Sequence, residues 1–81
     1  MPRRQSLDSL VAEACERFGI QSPELKSASR DMQVVRARGW IGREARSRQV
    51  ATLSEVARAL GRDRSTLRYA IRCLEQALLK T

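Results

Sequence analysis

The sequence predicts an all-α fold, a compact bundle of about five helices containing a helix-turn-helix, and three observations predict it. Apolar residues recur at three-four spacing along most of the chain. Residues that start and stop helices divide it into short segments. Only 4% of residues are aromatic and β-branched runs are nearly lacking, which argues against a sheet. With 81 residues there is room for one small domain and one modest core. Residues 1–5 are expected to be a flexible N-terminus and residues 6–80 a single helical domain, with the helix-turn-helix at about 52–79.

The first helix covers LDSLVAEACERF, residues 7–18, where Leu7, Leu10, Val11, Ala14 and Phe18 share one face. Ser6 is placed to cap it and Gly19 to stop it. In QSPELKS, Ser22 as N-cap and Pro23 at the first helical position predict a single short turn of helix. The third segment, SASRDMQVVRARGWIGREARSRQ, can gather Val34, Ala37, Ile41 and Ala45 on one face. Gly39 and Gly42 each weaken that helix by about 1 kcal/mol relative to alanine. Either a neighbouring backbone approaches closely at the two glycines, or the C-terminal half frays. Trp40 reads as a core or half-buried aromatic rather than a base-stacking platform, because one lone aromatic makes a poor single-strand surface.

Thr52-Leu53-Ser54-Glu55 is a capping box, in which hydroxyl and carboxylate each satisfy a backbone N–H of the other residue. The helix it opens carries Leu53, Val56, Ala57 and Leu60 inward and ends at Gly61. Asp63 can cap a last helix reaching about Leu79. Counted from Leu53, a small residue stands fifth (Ala57), glycine ninth (Gly61), and apolar residues fifteenth and eighteenth (Leu67, Ala70). That is the helix-turn-helix pattern: Ala57 lets two helices approach, Gly61 makes the turn, and Leu67 and Ala70 close the wedge. At 100° per residue, Leu67, Ala70, Ile71, Leu74 and Leu78 gather on one side of the last helix. Ser65, Tyr69, Arg72 and Gln76 lie opposite, with Arg64 and Arg68 along one flank and Thr66 near the other. A merely solvated face would alternate acids with bases, whereas Glu75 is the only acid after Asp63, so the face is expected to fit a polyanion.

Charge points the same way. The formal net charge is +7, and 14 of the 16 basic residues are arginine, whose fork matches phosphate and guanine edges. Residues 1–25 carry a net −1, residues 26–72 a net +8, and residues 73–81 a net 0. A nucleic-acid partner follows from that asymmetry. No apolar run approaches 18 residues, and Met1-Pro2-Arg3-Arg4 lacks the hydrophobic region of a signal peptide, so a cytoplasmic location, in the bacterial nucleoid, is expected, with no membrane partner. Cys15 and Cys73 read as reduced, buried or partly buried side chains rather than a disulfide. The chain has no histidine, no phosphate-cradling glycine loop and no suitably set pair of carboxylates. No catalytic residue, metal site, cofactor or small-molecule ligand is expected, and an enzyme is excluded as the reading of this segment.

The run Leu60-Gly61-Arg62-Asp63-Arg64-Ser65-Thr66-Leu67-Arg68-Tyr69-Ala70 resembles the Gly-Arg-Asp-His-Thr-Thr-Val-Leu-His-Ala signature of the C-terminal DNA-binding domain of DnaA, the bacterial chromosomal replication initiator. Related domains occur at the C-termini of transposases that act on repetitive extragenic elements. Thr52-Leu53-Ser54-Glu55-Val56 is similar to the family's Ser-Leu-Pro-Glu-Ile, and Ala37-Arg38 resembles an Ala-Arg pair on the earlier long helix. The likeness extends over about residues 6–78 and implies a fold of the Trp-repressor and DnaA C-terminal kind. It departs from the family at Arg64 for histidine, at Ser65 for threonine, at one glycine missing before Arg62, and at Gly42-Arg43-Glu44 in place of an apolar run.

The resemblance implies that Asp63, Ser65 and Thr66 read bases in the major groove, and that Arg30 enters the adjacent minor groove while the basic loop around it grips phosphate. Arg38, Arg62, Arg64, Arg68, Tyr69 and Arg72 complete the expected DNA-binding set. Asp63 is both N-cap and base reader in this reading, and Tyr69 either a phosphate donor or a packing residue. Arg64 and Arg68 beside the hydroxyls favour phosphate or guanine contact over idle surface charge, whereas Arg36 has only spacing behind it. The expected partner is double-stranded DNA, bound sequence-specifically as the recognition module of a replication-initiator-like or transposase-like protein, with a fused or separate catalytic domain. The alternatives are a free-standing transcriptional regulator resembling the fourth region of a sigma factor, and a helical protein-interaction module.

Overall fold

The computed structural model describes residues 6–27 and 31–79. In chain order, five helices follow one another: α1 (Leu7–Phe18), α2 (Ser22–Lys26), α3 (Met32–Ser47), α4 (Leu53–Leu60) and α5 (Arg64–Leu79). α3 is the axis of the bundle, packed against each of the other four. The core is built from Leu10 and Ala14 of α1, Leu25 of α2, Ala37, Trp40, Ile41 and Ala45 of α3, and Val56, Leu60, Leu67 and Leu74 of the last two helices.

Helix ends fall where side-chain chemistry puts them. The Ser6 hydroxyl accepts the Ser9 N–H at 3.2 Å, and Gly19 closes α1 in the left-handed conformation at φ 64°. α2 starts one residue earlier than Ser22-Pro23 suggests. Gln21 is the N-cap, and Glu24 reaches back to accept its N–H at 3.3 Å, so Ser22 already belongs to the first turn. Proline tolerates either of the first positions, because neither N–H has a partner inside the helix.

α3 does not fray. Its sixteen residues run unbroken through both glycines, and the reason is the close approach of α5. A methyl built on Gly39 would overlap the Ala70 carbonyl oxygen, lie 2.6 Å from the carbonyl carbon and sit 3.0 Å from the Ile71 nitrogen. At Gly42 the neighbours are the ends of side chains, Ile71 Cδ1 at 3.2 Å and Leu53 Cδ1 at 3.5 Å. Gly39 thus lets two backbones meet, and this contact fixes where α5 lies on α3. Beyond Ser47 the chain turns through Gln49, which takes a left-handed φ of 56° so that the Val50 N–H can reach the Ala45 carbonyl at 2.8 Å. A non-glycine residue here carries a steric cost of roughly 1–2 kcal/mol.

Trp40 is 9% exposed and its ring is flanked by guanidinium groups, Arg17 at 5.1 Å and Arg48 at 5.8 Å from the centroid. Glu13 pairs with both arginines, at 3.2 and 3.8 Å, and Glu44 with Arg48 at 2.9 Å. Trp40 is therefore a core aromatic with two paired arginines over its ring. Both cysteines are free and half-buried, and burial together with the nearby Glu24 charge pushes the Cys15 thiol up, keeping it protonated.

Candidate nucleic-acid interface

The α4–α5 corner is built by the capping box and the glycine turn. Thr52 Oγ1 accepts the Glu55 N–H at 3.2 Å, and Glu55 accepts the Thr52 N–H at 3.0 Å. Gly61, at φ 66°, lets the Arg62 N–H return to the Ala57 carbonyl at 2.9 Å and its own N–H reach the Arg58 carbonyl at 3.2 Å. These bonds cap the C-terminus of α4 and turn the chain within three residues. Val56, Ala57 and Leu60 then face Leu67 and Ala70 in a closed wedge. The two helices form a helix-turn-helix whose second element rests on Gly39.

α5 buries Leu67, Ala70 and Leu74, with Ile71 half-buried against Gly42. Leu78, expected on the same face, is 52% exposed, because α5 runs on beyond the helices it packs against. On the other side Asp63, Arg64, Ser65, Arg68, Tyr69 and Arg72 are exposed, while Arg62 and Thr66 are half-buried at the turn. The Asp63 carbonyl accepts the Leu67 N–H at 3.2 Å, which makes Asp63 the residue at the head of α5. Its carboxylate makes no hydrogen bond among the described residues, so the side chain stands open rather than closing the helix end.

Arg62 Nε donates to the Gly61 carbonyl at 2.8 Å, and Arg64 Nη1 to Ser54 Oγ at 3.5 Å. Among the described residues, Arg62, Arg64, Arg68 and Arg72 have no ion-pair partner. The result is a band of uncompensated guanidinium groups beside two hydroxyls, on a helix whose position is fixed by backbone contact. Such a band attracts phosphate and supplies donors for base edges.

Two residues of the expected set remain. Arg30 lies outside the described residues. Arg38 is 4% exposed, and its guanidinium donates to the carbonyls of Leu25 at 2.9 Å, Glu24 at 3.4 Å and Ser27. It satisfies the carbonyl end of α2, a helix too short to satisfy its own. Burial, with the Arg62 charge adding to it, lowers the Arg38 pKa, but the hydrogen-bonded group remains a cation. Arg38 thus ties α2 to α3, and it also lines the groove between α3 and α5. Arg36 is half-buried and its Nε has no hydrogen-bond partner among the described residues.

Beside the arginine band runs a groove of about 460 Å³ between the start of α3 and the first turns of α5. Met32, Val35, Tyr69 and Ala70 line it together with Ser65, Thr66 and Arg38. Sequence periodicity did not find it, since Met32 precedes the apolar face of α3 and only the fold brings it opposite Tyr69.

The profile described as bacterial dnaA protein helix-turn-helix matches residues 7–73. The chain belongs to that family. No curated protein and no solved structure matches the chain significantly. A DnaA helix-turn-helix is a DNA-binding unit without catalytic activity of its own, and the match runs from the first residue of α1 to Cys73, past the whole exposed band of α5. The family's partner class and the uncompensated charge of α5 agree on DNA. No described helix is long and apolar enough to cross a membrane.

Proposed function

We propose that the chain binds double-stranded DNA sequence-specifically by laying the first turns of α5 in the major groove. The observation that carries this reading is the face of α5: Arg64, Ser65, Arg68, Tyr69 and Arg72 are exposed together, and its arginines have no carboxylate partner among the described residues. Phosphate contacts by arginine set register, while Ser65, Thr66 and the open Asp63 carboxylate read base edges, the acid accepting from a cytosine or adenine amino group. Arg30, three residues beyond the strut that Arg38 fixes at Ser27, reaches the neighbouring minor groove in this proposal, as the family resemblance implies.

A module of this size buries about 600–1,000 Å² on DNA, too little for high specificity alone. Residues 6–80 act, in this reading, as the recognition module of a replication-initiator-like or transposase-like protein, joined or recruited to a catalytic domain, and they work on the bacterial nucleoid. Selection of bound duplexes from a random pool tests it. The wild-type chain yields one preferred site, Ser65→Ala relaxes one or two adjacent positions, and Arg30→Ala weakens preference in a neighbouring AT-rich step. Unselective binding by the wild type, or unchanged site profiles in both variants, contradicts the assignment.

A further inference from the structure

We infer that Gly39 is a positioning residue for DNA recognition: by admitting the Ala70 peptide against α3, it sets the interval between the two parts of the chain that read the duplex. The inference rests on the duplex-binding reading above and adds to it the residue that spaces its two readers. α3 carries both of them. Arg30, the minor-groove residue of that reading, directly precedes the N-cap Asp31, and α5, the major-groove element, meets the middle of the same helix at Gly39. The offset between the two readers is therefore whatever the α3–α5 contact allows.

At Gly39 that contact is backbone against backbone. A Cβ there would overlap the Ala70 carbonyl oxygen and stand 2.6 Å from the carbonyl carbon and 3.0 Å from the Ile71 nitrogen. None of these atoms can rotate away, since all belong to the interior of α5. Restoring ordinary van der Waals separation requires α5 to move off α3 by about 1 Å. The Gly61 turn and the packing of Val56 and Leu60 on Leu67 hold α4 to α5, so the corner keeps its shape while its place on α3 changes. Gly42, three residues on, is the internal control. Its neighbours are side-chain ends, Ile71 Cδ1 at 3.2 Å and Leu53 Cδ1 at 3.5 Å, which give way by rotation. A recognition constellation stays productive only within about 0.5 Å, so in a Gly39→Ala variant the two readers no longer meet one duplex site together.

The test joins two substitutions. Affinity for the duplex selected by the wild-type chain is measured by anisotropy for wild type, Gly39→Ala, Gly42→Ala and Arg30→Ala, and for Arg30→Ala combined with each glycine variant, after circular dichroism shows each folded. Arg30→Ala is expected to weaken wild type and Gly42→Ala alike, by about tenfold. Gly39→Ala alone should show a loss of the same size, and adding Arg30→Ala to it should cost less than about twofold more. Selection from a random pool by Gly39→Ala should keep the positions read by Ser65 and Thr66 and lose or shift the AT-rich step. A plain loss of stability does neither, because it leaves the Arg30 effect intact in the folded molecules. A folded Gly39→Ala with the wild-type site profile and the full Arg30 effect overturns the inference and leaves the duplex-binding reading standing. Arg30→Ala without effect on the wild type overturns the Arg30 assignment and the inference with it, and a wild-type chain that selects no site overturns the duplex-binding reading as well. If Gly39→Ala does not fold, the wild type decides: residual dipolar couplings of the α3 and α5 amides should report one interhelical angle, free and duplex-bound, to within about 10°. A larger reorientation on binding overturns the inference.

Discussion

Two clusters of arginine in this small chain have opposite fates. Around Trp40, Arg17 and Arg48 stack on the indole and are paired by Glu13 and Glu44. Along the turn and α5, Arg62, Arg64, Arg68 and Arg72 find no carboxylate among the described residues. The same residue type thus serves the fold in one place and stands without an internal carboxylate, among the described residues, in the other. A net charge of +7 does not separate the two uses; the distribution of acids does. Arg38 is a third case, a cation consumed by backbone carbonyls.

The comparison is open to attack in order of expected effect. Arg38→Ala should be the most destructive to the fold, since it strips the buried Leu25 carbonyl of its donor and empties a buried site; a loss of about 3 kcal/mol is expected in urea unfolding. A variant with unchanged stability would return Arg38 to the DNA-binding group. The double substitution Arg64→Ala, Arg68→Ala should leave the urea midpoint nearly unmoved, weaken duplex binding by roughly 2 kcal/mol, and flatten the salt dependence by about two phosphate contacts. Arg17→Ala and Arg48→Ala should behave the other way round, each costing about 1 kcal/mol of stability and altering DNA affinity by less than about twofold.

The smallest effect concerns an acid that is also consumed locally. Hydrogen bonds from the Thr52 backbone and side chain, with a contribution from Arg58, hold the exposed Glu55 carboxyl below its ordinary range. A carboxyl depressed in the folded state stabilises above its unfolded pKa, and the contribution fades as pH falls through the lower folded value. Thermal unfolding followed downward from pH 6 should show a slight acid-side loss in the wild type that Glu55→Ala lacks.

Much of this was legible in the sequence, for identifiable reasons. Thr52-x-x-Glu55 and Gly61 are local devices whose geometry is complete within four residues, so the corner they build is readable without the rest of the chain. The exposed face of α5 follows from its periodicity and its lack of acids. Gly39 posed a choice that one chain segment cannot settle, because its partner, the Ala70 backbone, lies 31 residues away. The hydrogen bonds of Arg38 were not legible for the same reason: an Ala-Arg pair on a helix says nothing about carbonyls 11 to 14 residues earlier. The turn at Gln49 carries no glycine to announce it, and the Met32–Tyr69 groove exists only once α3 and α5 are packed.

The most direct measurement is an amide chemical-shift titration of the chain with its selected duplex. The account predicts that residues 62–72 move while Arg17, Trp40 and Arg48 stay in place. Shifts centred on the Trp40 cluster, with α5 unmoved, would contradict it.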